Sequence, residues 1–367
     1  MLVNAHAYTD ADEALRCNEK ATELWQQVGH MSGVARGLYI RAFHERSRNW
    51  RHAKELLEET IRMARDANAP GLEAVSLDLL AAIEIDRGDP LRAGPLLDRA
   101  ISHAKETDGE FSLATAYGHM ACYSVKVRDY GSAHAYYHSA WRAARKYGET
   151  KFGSAHTHLT HTAAAALLLG KTDEALSATD RVLTSLAHHD MKAADAKTGL
   201  LPMAARVDGA EKVAALLIRS DVRLAHSDID GSLEATSEAL RVGALLASGS
   251  PRGKFSVYQP DTVLDRIARI AVATGQYDSS VRLHAVVRTL RDEYGRFDLG
   301  AFPCGFDHMQ MSEQLGEPYL ANAKERLDAR GFNRAWDAGR ALNDKEAFDL
   351  ARGVIDQASA MGQHGSR

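Results

Sequence analysis

Apolar residues recur along this chain at intervals of three and four and almost nowhere alternate with polar ones, so the pattern predicts helices throughout. Only 8 prolines interrupt 367 residues, which fits helices running nearly end to end. The helices also come in register. A short turn, then an alanine, then a helix closing near glycine or Asn/Asp recurs, with the alanine at Ala14, Ala53, Ala93, Ala133 and Ala175. The spacings are 39, 40, 40 and 42 residues, and two further copies carry Ser232 and Ser280 after intervals of 57 and 48. Capping-type residues introduce the copies, as in Asn49-Trp50, Gly88-Asp89-Pro90, Asp129-Tyr130 and Asp228-Ile229-Asp230.

A helical hairpin closes tightly only where small residues meet at the crossing. Seven residues after the marker stand Ala21, Thr60, Ala100, Ala140, Val182, Ala239 and Val287; twelve before it, on the preceding helix, stand Ala81, Ala121, Ala163, Ser220 and Ala268. One turn earlier the residue is large: Leu77, Tyr117, Leu159, Leu216 and Leu264. The second copy breaks this rule with Gly37 and Arg41, and Leu38 and Ala42 restore it if the register slips by one residue.

This register resembles the tetratricopeptide (TPR) repeat, whose A helix carries a large then a small residue and whose B helix carries two alanines seven apart. The resemblance implies an all-α, TPR-like α-α superhelix, a solenoid of about seven helical hairpins with a C-terminal helical cap. The period near 40 exceeds the standard 34. The array is expected over residues 1–295, starting in a B helix near Tyr8 to Asp10, with insertions near 188–209 and 245–260. The first is marked by Thr198-Gly199-Leu200-Leu201-Pro202, the second by Gly249-Ser250-Pro251-Arg252-Gly253-Lys254. A cap and tail are expected over 296–367: a loop from Phe297 to Phe306, a helix from about Asp307 to Leu315, then further helices.

The last sixty residues carry a more specific likeness. Gly331-Phe332, Ala335-Trp336, Gly339-Arg340-Ala341-Leu342 and Glu346-Ala347 resemble the end of the TPR sensor region in LuxR/AfsR-like signal-transduction ATPases that regulate bacterial transcription. Phe332, Trp336 and Leu342 would form the apolar face that closes a solenoid end. Those regulators carry an NTPase module and often a helix-turn-helix, and neither is found in this sequence. The nearest approach to a P-loop, Gly249 to Phe255, has too few residues between its glycines and Phe255 where Ser or Thr must hold magnesium.

Composition narrows the function classes. Forty-five basic and 49 acidic residues leave a formal charge of −4, and the pI near 6.5 offers no footprint for a nucleic-acid backbone. Direct nucleic-acid partners are therefore not expected. No run approaches the roughly 18 apolar residues of a membrane span. Cys17, Cys122 and Cys304 form no CxxC pair, and Met1 to His6 lacks the pattern of a secretory signal, so a cytoplasmic location is expected.

Catalytic and metal chemistry find little support. His134 and His138 stand at i and i+4, and His158 and His161 at i and i+3 near His156, but no third ligand stands at a fixed offset. His188-His189 reads as loop polarity, and Cys122 as a small core thiol. No nucleophile elbow, paired-carboxylate signature or glycine fingerprint appears. The chain is accordingly expected not to be an enzyme and to need no cofactor. In a TPR superhelix the A helices line a concave groove, and the implied ligand contacts are Asp78, Asp86, Thr115, Cys122, Lys126, Thr157, Thr160, Asp221, Asp265 and Arg269. The expectation is a non-catalytic module binding a protein or peptide ligand, or a small effector, in a transcription-regulatory or signalling system. The alternative is an autonomous TPR adaptor or peptide-pheromone receptor that docks a partner protein.

Overall fold

A computed structural model of the protein describes residues 11–46, 48–87, 89–147, 154–187, 203–248, 260–293 and 305–365, and every regular element among them is a helix. Contacts divide the chain into two compact units, with the boundary between Ala155 and His156. That boundary falls inside the expected array 1–295, and the described C-terminal helices belong to the second unit together with the last hairpins. Among the described residues no helix is long and apolar enough to cross a membrane.

The first unit holds α1 (Ala11–Gln27), α2 (Met31–Glu45), α3 (Trp50–Asp66), α4 (Pro70–Arg87), α5 (Pro90–Glu106), α6 (Glu110–Lys126) and α7 (Tyr130–Tyr147). Helices α2 and α3, α4 and α5, and α6 and α7 pair as hairpins, and each hairpin stacks on the next. Helix α1 packs on α2. The outer helices are amphipathic: α3 buries Ala53, Leu56, Leu57, Thr60, Ile61 and Ala64 and exposes Glu55, Glu58, Glu59 and Arg62. An inner helix such as α4 is sandwiched between two outer ones, and so Leu77, Leu79, Leu80, Ile83 and Ile85 are buried around most of its circumference.

The second unit holds α8 (Ser154–Leu168), whose first turn contains the boundary, then α9 (Thr172–Leu186), α10 (Met203–Ala225), α11 (Ile229–Ser248), α12 (Pro260–Ala273) and α13 (Tyr277–Glu293). Three C-terminal helices follow: α14 (Gly305–Arg326), α15 (Ala329–Arg340) and α16 (Asp344–Gly365). Pairs α10 with α11 and α12 with α13 are hairpins in contact. Helix α16 packs on α11, α12 and α13, while α15 packs on α13. The two insertions and the Phe297 loop fall mostly outside the described residues, although α10 already begins at Met203.

The crossing points are where the register places them. Ala81, Ala121, Ala163 and Ala268 are fully buried, as are the markers from Ala14 to Ser280. In the second copy Ala42 is buried while Arg41 is exposed, which is the one-residue slip. There a Cβ on Gly37 would stand 2.0 Å from Thr22 Oγ1, so glycine lets α2 close on α1. Where serine replaces alanine on both helices, the hydroxyls satisfy each other: Ser220 Oγ lies 2.8 Å from both Ser232 Oγ and Thr236 Oγ1.

Seven of the interhelical turns share one geometry. A residue at positive φ follows the helix, at Gly29, Asn68, Asp108, Arg128, Gly170, Ser227 and Gly275. The next amide closes a six-residue ring, as from Asp129 N to Ser124 O at 2.8 Å and Gln276 N to Ala271 O at 2.7 Å. Asp89, Asp129, Asp228 and Asp328 then cap the following helices through their carboxylates.

The C-terminal segment differs from expectation in one respect. The helix expected to stop near Leu315 runs on through Pro318 to Arg326. Proline forfeits one hydrogen bond there, while Tyr319, Leu320 and Ala323 beyond it pack against Val272, Val281 and Ala335. Phe332 and Trp336 stack at 5.8 Å on the same cluster, and Leu342 packs on the larger core of the unit.

Candidate functional site

Six of the ten residues expected to line an open groove are buried: Asp78, Cys122, Thr160, Asp221, Asp265 and Arg269. Three of them meet in the second unit. Asp221 on α10 and Asp265 and Arg269 on α12 join Arg266, which the sequence reading passed over, in a closed ring of charges. Arg266 Nη2 lies 3.1 Å from Asp221 Oδ2 and Arg269 Nη1 lies 2.8 Å from Asp221 Oδ1. Arg266 Nη1 stands 3.5 Å from Asp265 Oδ2, to which Arg269 Nη2 also donates. The four charges sum to zero and tie two neighbouring inner helices together.

Helix α14 roofs this ring. A Cβ on Gly316 would stand 3.3 Å from Asp265 Oδ1 and 3.4 Å from Arg269 Nη2, so the missing side chain lets the helix lie directly on the charges. Tyr319 follows one turn later; burial raises its phenol pKa, and the nearby Asp221 carboxylate adds to the rise. Burial works against ionisation of Asp265, but Arg269, Arg266 and Arg291 outweigh it and hold the carboxyl well below its ordinary range. His284 on α13 approaches Asp265 Oδ1 at 3.9 Å through Nε2, while its Nδ1 donates to Ser280 O at 2.9 Å. Burial lowers the His284 pKa, with Asp265 opposing, and the imidazole stays neutral near pH 7. The groove positions of these hairpins are thus taken up by the protein itself.

In the first unit the same register positions divide into two groups. Asp78 accepts from His119 Nδ1 at 2.6 Å, one repeat further along, and both are buried. Cys122 is also buried, with Tyr137 Oη at 3.9 Å from its sulfur. Asp86 and Lys126 stay half-buried at the surface, as does Thr115, whose hydroxyl bonds Ser112 O at 3.1 Å. Ala82 is half-buried beside Asp86 on the same face of α4. On α8 in the second unit Thr160 is buried, whereas half-buried Thr157 donates to Glu211 Oε1 on α10.

The candidate histidines do not converge. His158 and His161 are buried on α8, His156 Nε2 meets Ser185 Oγ at 2.9 Å, and His138 packs on Trp141 at 5.2 Å. Among the described residues no group of three or more His, Cys, Asp or Glu could hold a metal ion. His188 and His189 lie outside the described residues, as does Cys304.

Buried ion pairs missed by the sequence reading stand on the other face of α4. Lys54 Nζ meets the buried Glu84 carboxylate at 2.6 Å. Burial works to raise the Glu84 pKa, but hydrogen bonds from Lys54 and the Asp89 amide outweigh it and lower it. At the other end Arg65 Nε and Arg99 Nη2 both reach Glu73 Oε1, at 2.6 and 2.8 Å. Only a three-dimensional stack brings these residues together, though the 41-residue spacing of Asp78 and His119 is a signal the period itself could have supplied.

This arrangement defines a protein of stacked helical hairpins whose inner helices carry buried charge. No family model and no curated protein sequence matches the chain. Among solved structures, the chain is similar to BtubC (BKLC) from P. vanneervenii, at 15% identity and a TM-score of 0.53, over 67% of this chain and 96% of that one. At that identity the likeness is one of fold alone.

Proposed function

We propose that the chain is a non-catalytic binding module of a bacterial transcription-regulatory or signalling system, holding a protein or peptide segment, or a small effector, on the inner helices of its first unit. The asymmetry between the units carries this reading. In the second unit Asp221, Asp265 and Arg269 are neutralised by one another and roofed by α14. In the first, Ala82 and Asp86 on α4 and Thr115 and Lys126 on α6 keep accessible surface. Stacked hairpins present such faces to ligands that bridge several repeats. The likeness of the C-terminal segment to LuxR/AfsR-like regulators supports the regulatory part of the reading, and Cys17 and Cys122, neither of them in a disulfide, support a cytoplasmic setting.

Affinity capture from bacterial extract with the full chain tests it against the double variant Asp86→Lys, Lys126→Glu. A discrete polypeptide retained by the wild type and lost by the variant is the expected result. A profile identical for both would overturn the assignment of the site to these helices. Recovery of an ATPase or a helix-turn-helix protein fits the regulatory reading, whereas a short secreted peptide would replace it with a pheromone receptor.

A further inference from the structure

The main core of the second unit closes without α14. Its buried residues come from α10 to α13 and from α16, which supplies Ala347, Ala351 and Val354, and no described side chain of α14 enters it. Among the described residues of α14 only Gly316 and Ala323 are buried, while Glu317, Pro318, Ala321 and Asn322 are exposed. Gly316, Tyr319, Leu320 and Ala323 stand at i, i+3, i+4 and i+7, so one narrow stripe of the helix faces the unit. Gly316 lies on the charge ring, and the other three join a small separate cluster with Val272 and Val281.

What α14 covers and what it is made of both weaken this hold. Asp221, Asp265, Arg266 and Arg269 are ion pairs, and covering them strips water from charge, which is costly, where covering apolar surface would be favourable. In its interior the helix carries Gly316 and Pro318, the two residue types that a helix tolerates least. Its C-terminal neighbours are held differently. Helix α15 meets the backbone of α13 at Gly339, and α16 belongs to the main core. The loss of α14 therefore leaves the helices of the ring and both helices that follow it with their own contacts.

We propose that α14 is a displaceable strap over a latent docking face, and that its place on α10, α12 and α13 is taken by a helix of a partner protein with the same stripe: glycine at i, an aromatic residue at i+3, an aliphatic one at i+4 and alanine at i+7. The occupant is defined by α14 itself. A glycine is needed because a Cβ at that point would stand 3.3 Å from Asp265 Oδ1 and 3.4 Å from Arg269 Nη2. A partner helix without proline keeps the hydrogen bond that Pro318 forfeits, and that advantage opposes the high effective concentration of the tethered strap. The face lies in the second unit, and its test is independent of the ligand face assigned to α4 and α6.

A labelled peptide copying Gly305–Arg326 and carrying Pro318→Ala serves as the probe, titrated against the full chain as wild type, Pro318→Ala and Gly316→Leu. The Pro318→Ala chain, its own strap reinforced, should bind the peptide about tenfold more weakly than the wild type. The Gly316→Leu chain, its strap lifted by the added side chain, should bind it about tenfold more tightly, and a peptide that itself carries Gly316→Leu should bind none of the three. In the wild type alone, amide hydrogen exchange should be faster in α14 than in α12, α13 and α15. Should Gly316→Leu fail to fold, the wild type and Pro318→Ala chains carry the comparison. Equal affinity for those two, no binding to any chain, equal binding of the Gly316→Leu peptide, or exchange of α14 only in step with α12 and α13 would each overturn the proposal.

Discussion

At Asp265 two effects oppose each other, burial against ionisation and three guanidiniums in favour of it, and the guanidiniums win. Such a ring holds only while complete, since removing one member strands a buried charge at a cost of about 3–5 kcal/mol. Sequence offered part of this: Asp265 and Arg269 stand at i and i+4, the spacing of an intrahelical ion pair. Their roof was not legible, because nothing in the Gly316 neighbourhood states which helix it will lie on. The ring also sets a pH response. The Asp265 carboxyl is depressed relative to the unfolded chain, so its contribution is present above about pH 4 and is lost as pH falls below that. His284 is depressed as well, so below about pH 6.5 the unfolded chain takes up a proton that the native state refuses. Its effect therefore appears first on acidification. Between pH 7.5 and 5.5, His284→Asn should lose less stability than the wild type. Trp336, the one tryptophan beyond residue 155, reports unfolding of the second unit once Trp25, Trp50 and Trp141 are replaced by Phe. Equal pH slopes for the two proteins would refute the role given to His284.

Elements α2 to α13 follow from the marker register, because an alanine that must meet an alanine leaves one way to align two helices. The C-terminal helices followed less well. Pro318 reads as a stop in any local scheme, yet α14 passes through it, since Tyr319, Leu320 and Ala323 have a hydrophobic cluster to pack against. Tertiary contact outweighed local propensity. Helix α15 meets the backbone of α13 directly: a Cβ on Gly339 would stand 2.3 Å from Arg282 O and 2.7 Å from Arg282 Cα. Backbone cannot yield as a flexible side chain can. Gly339→Ala should accordingly destabilise the second unit by about 2 kcal/mol or more through overpacking, opposed only by the small helix-propensity gain of alanine. Chemical denaturation followed at Trp336 measures this; a midpoint equal to or above that of the wild type would show that α15 does not dock on α13 at this glycine.

Across the whole molecule, one repeat supports two kinds of inner-helix face. The fold class was legible from spacing and low proline content; the difference between the units was not, because the same marker register recurs on both sides of residue 155, with intervals of 57 and 48 beyond Ala175 that report insertions and not burial. What separates them is local: in the second unit Asp221, Asp265, Arg266 and Arg269 neutralise one another under a glycine-bearing helix, and in the first Asp78 and Cys122 are buried while Ala82, Asp86, Thr115 and Lys126 keep accessible surface. The proposed recognition of a ligand by inner helices is accordingly assigned to the first unit. Amide hydrogen exchange on the full chain, with and without the polypeptide recovered by affinity capture, tests this most directly. Slowed exchange in α4 and α6, with α10 and α12 unchanged, is the result predicted; slowing confined to α10 and α12 would contradict it.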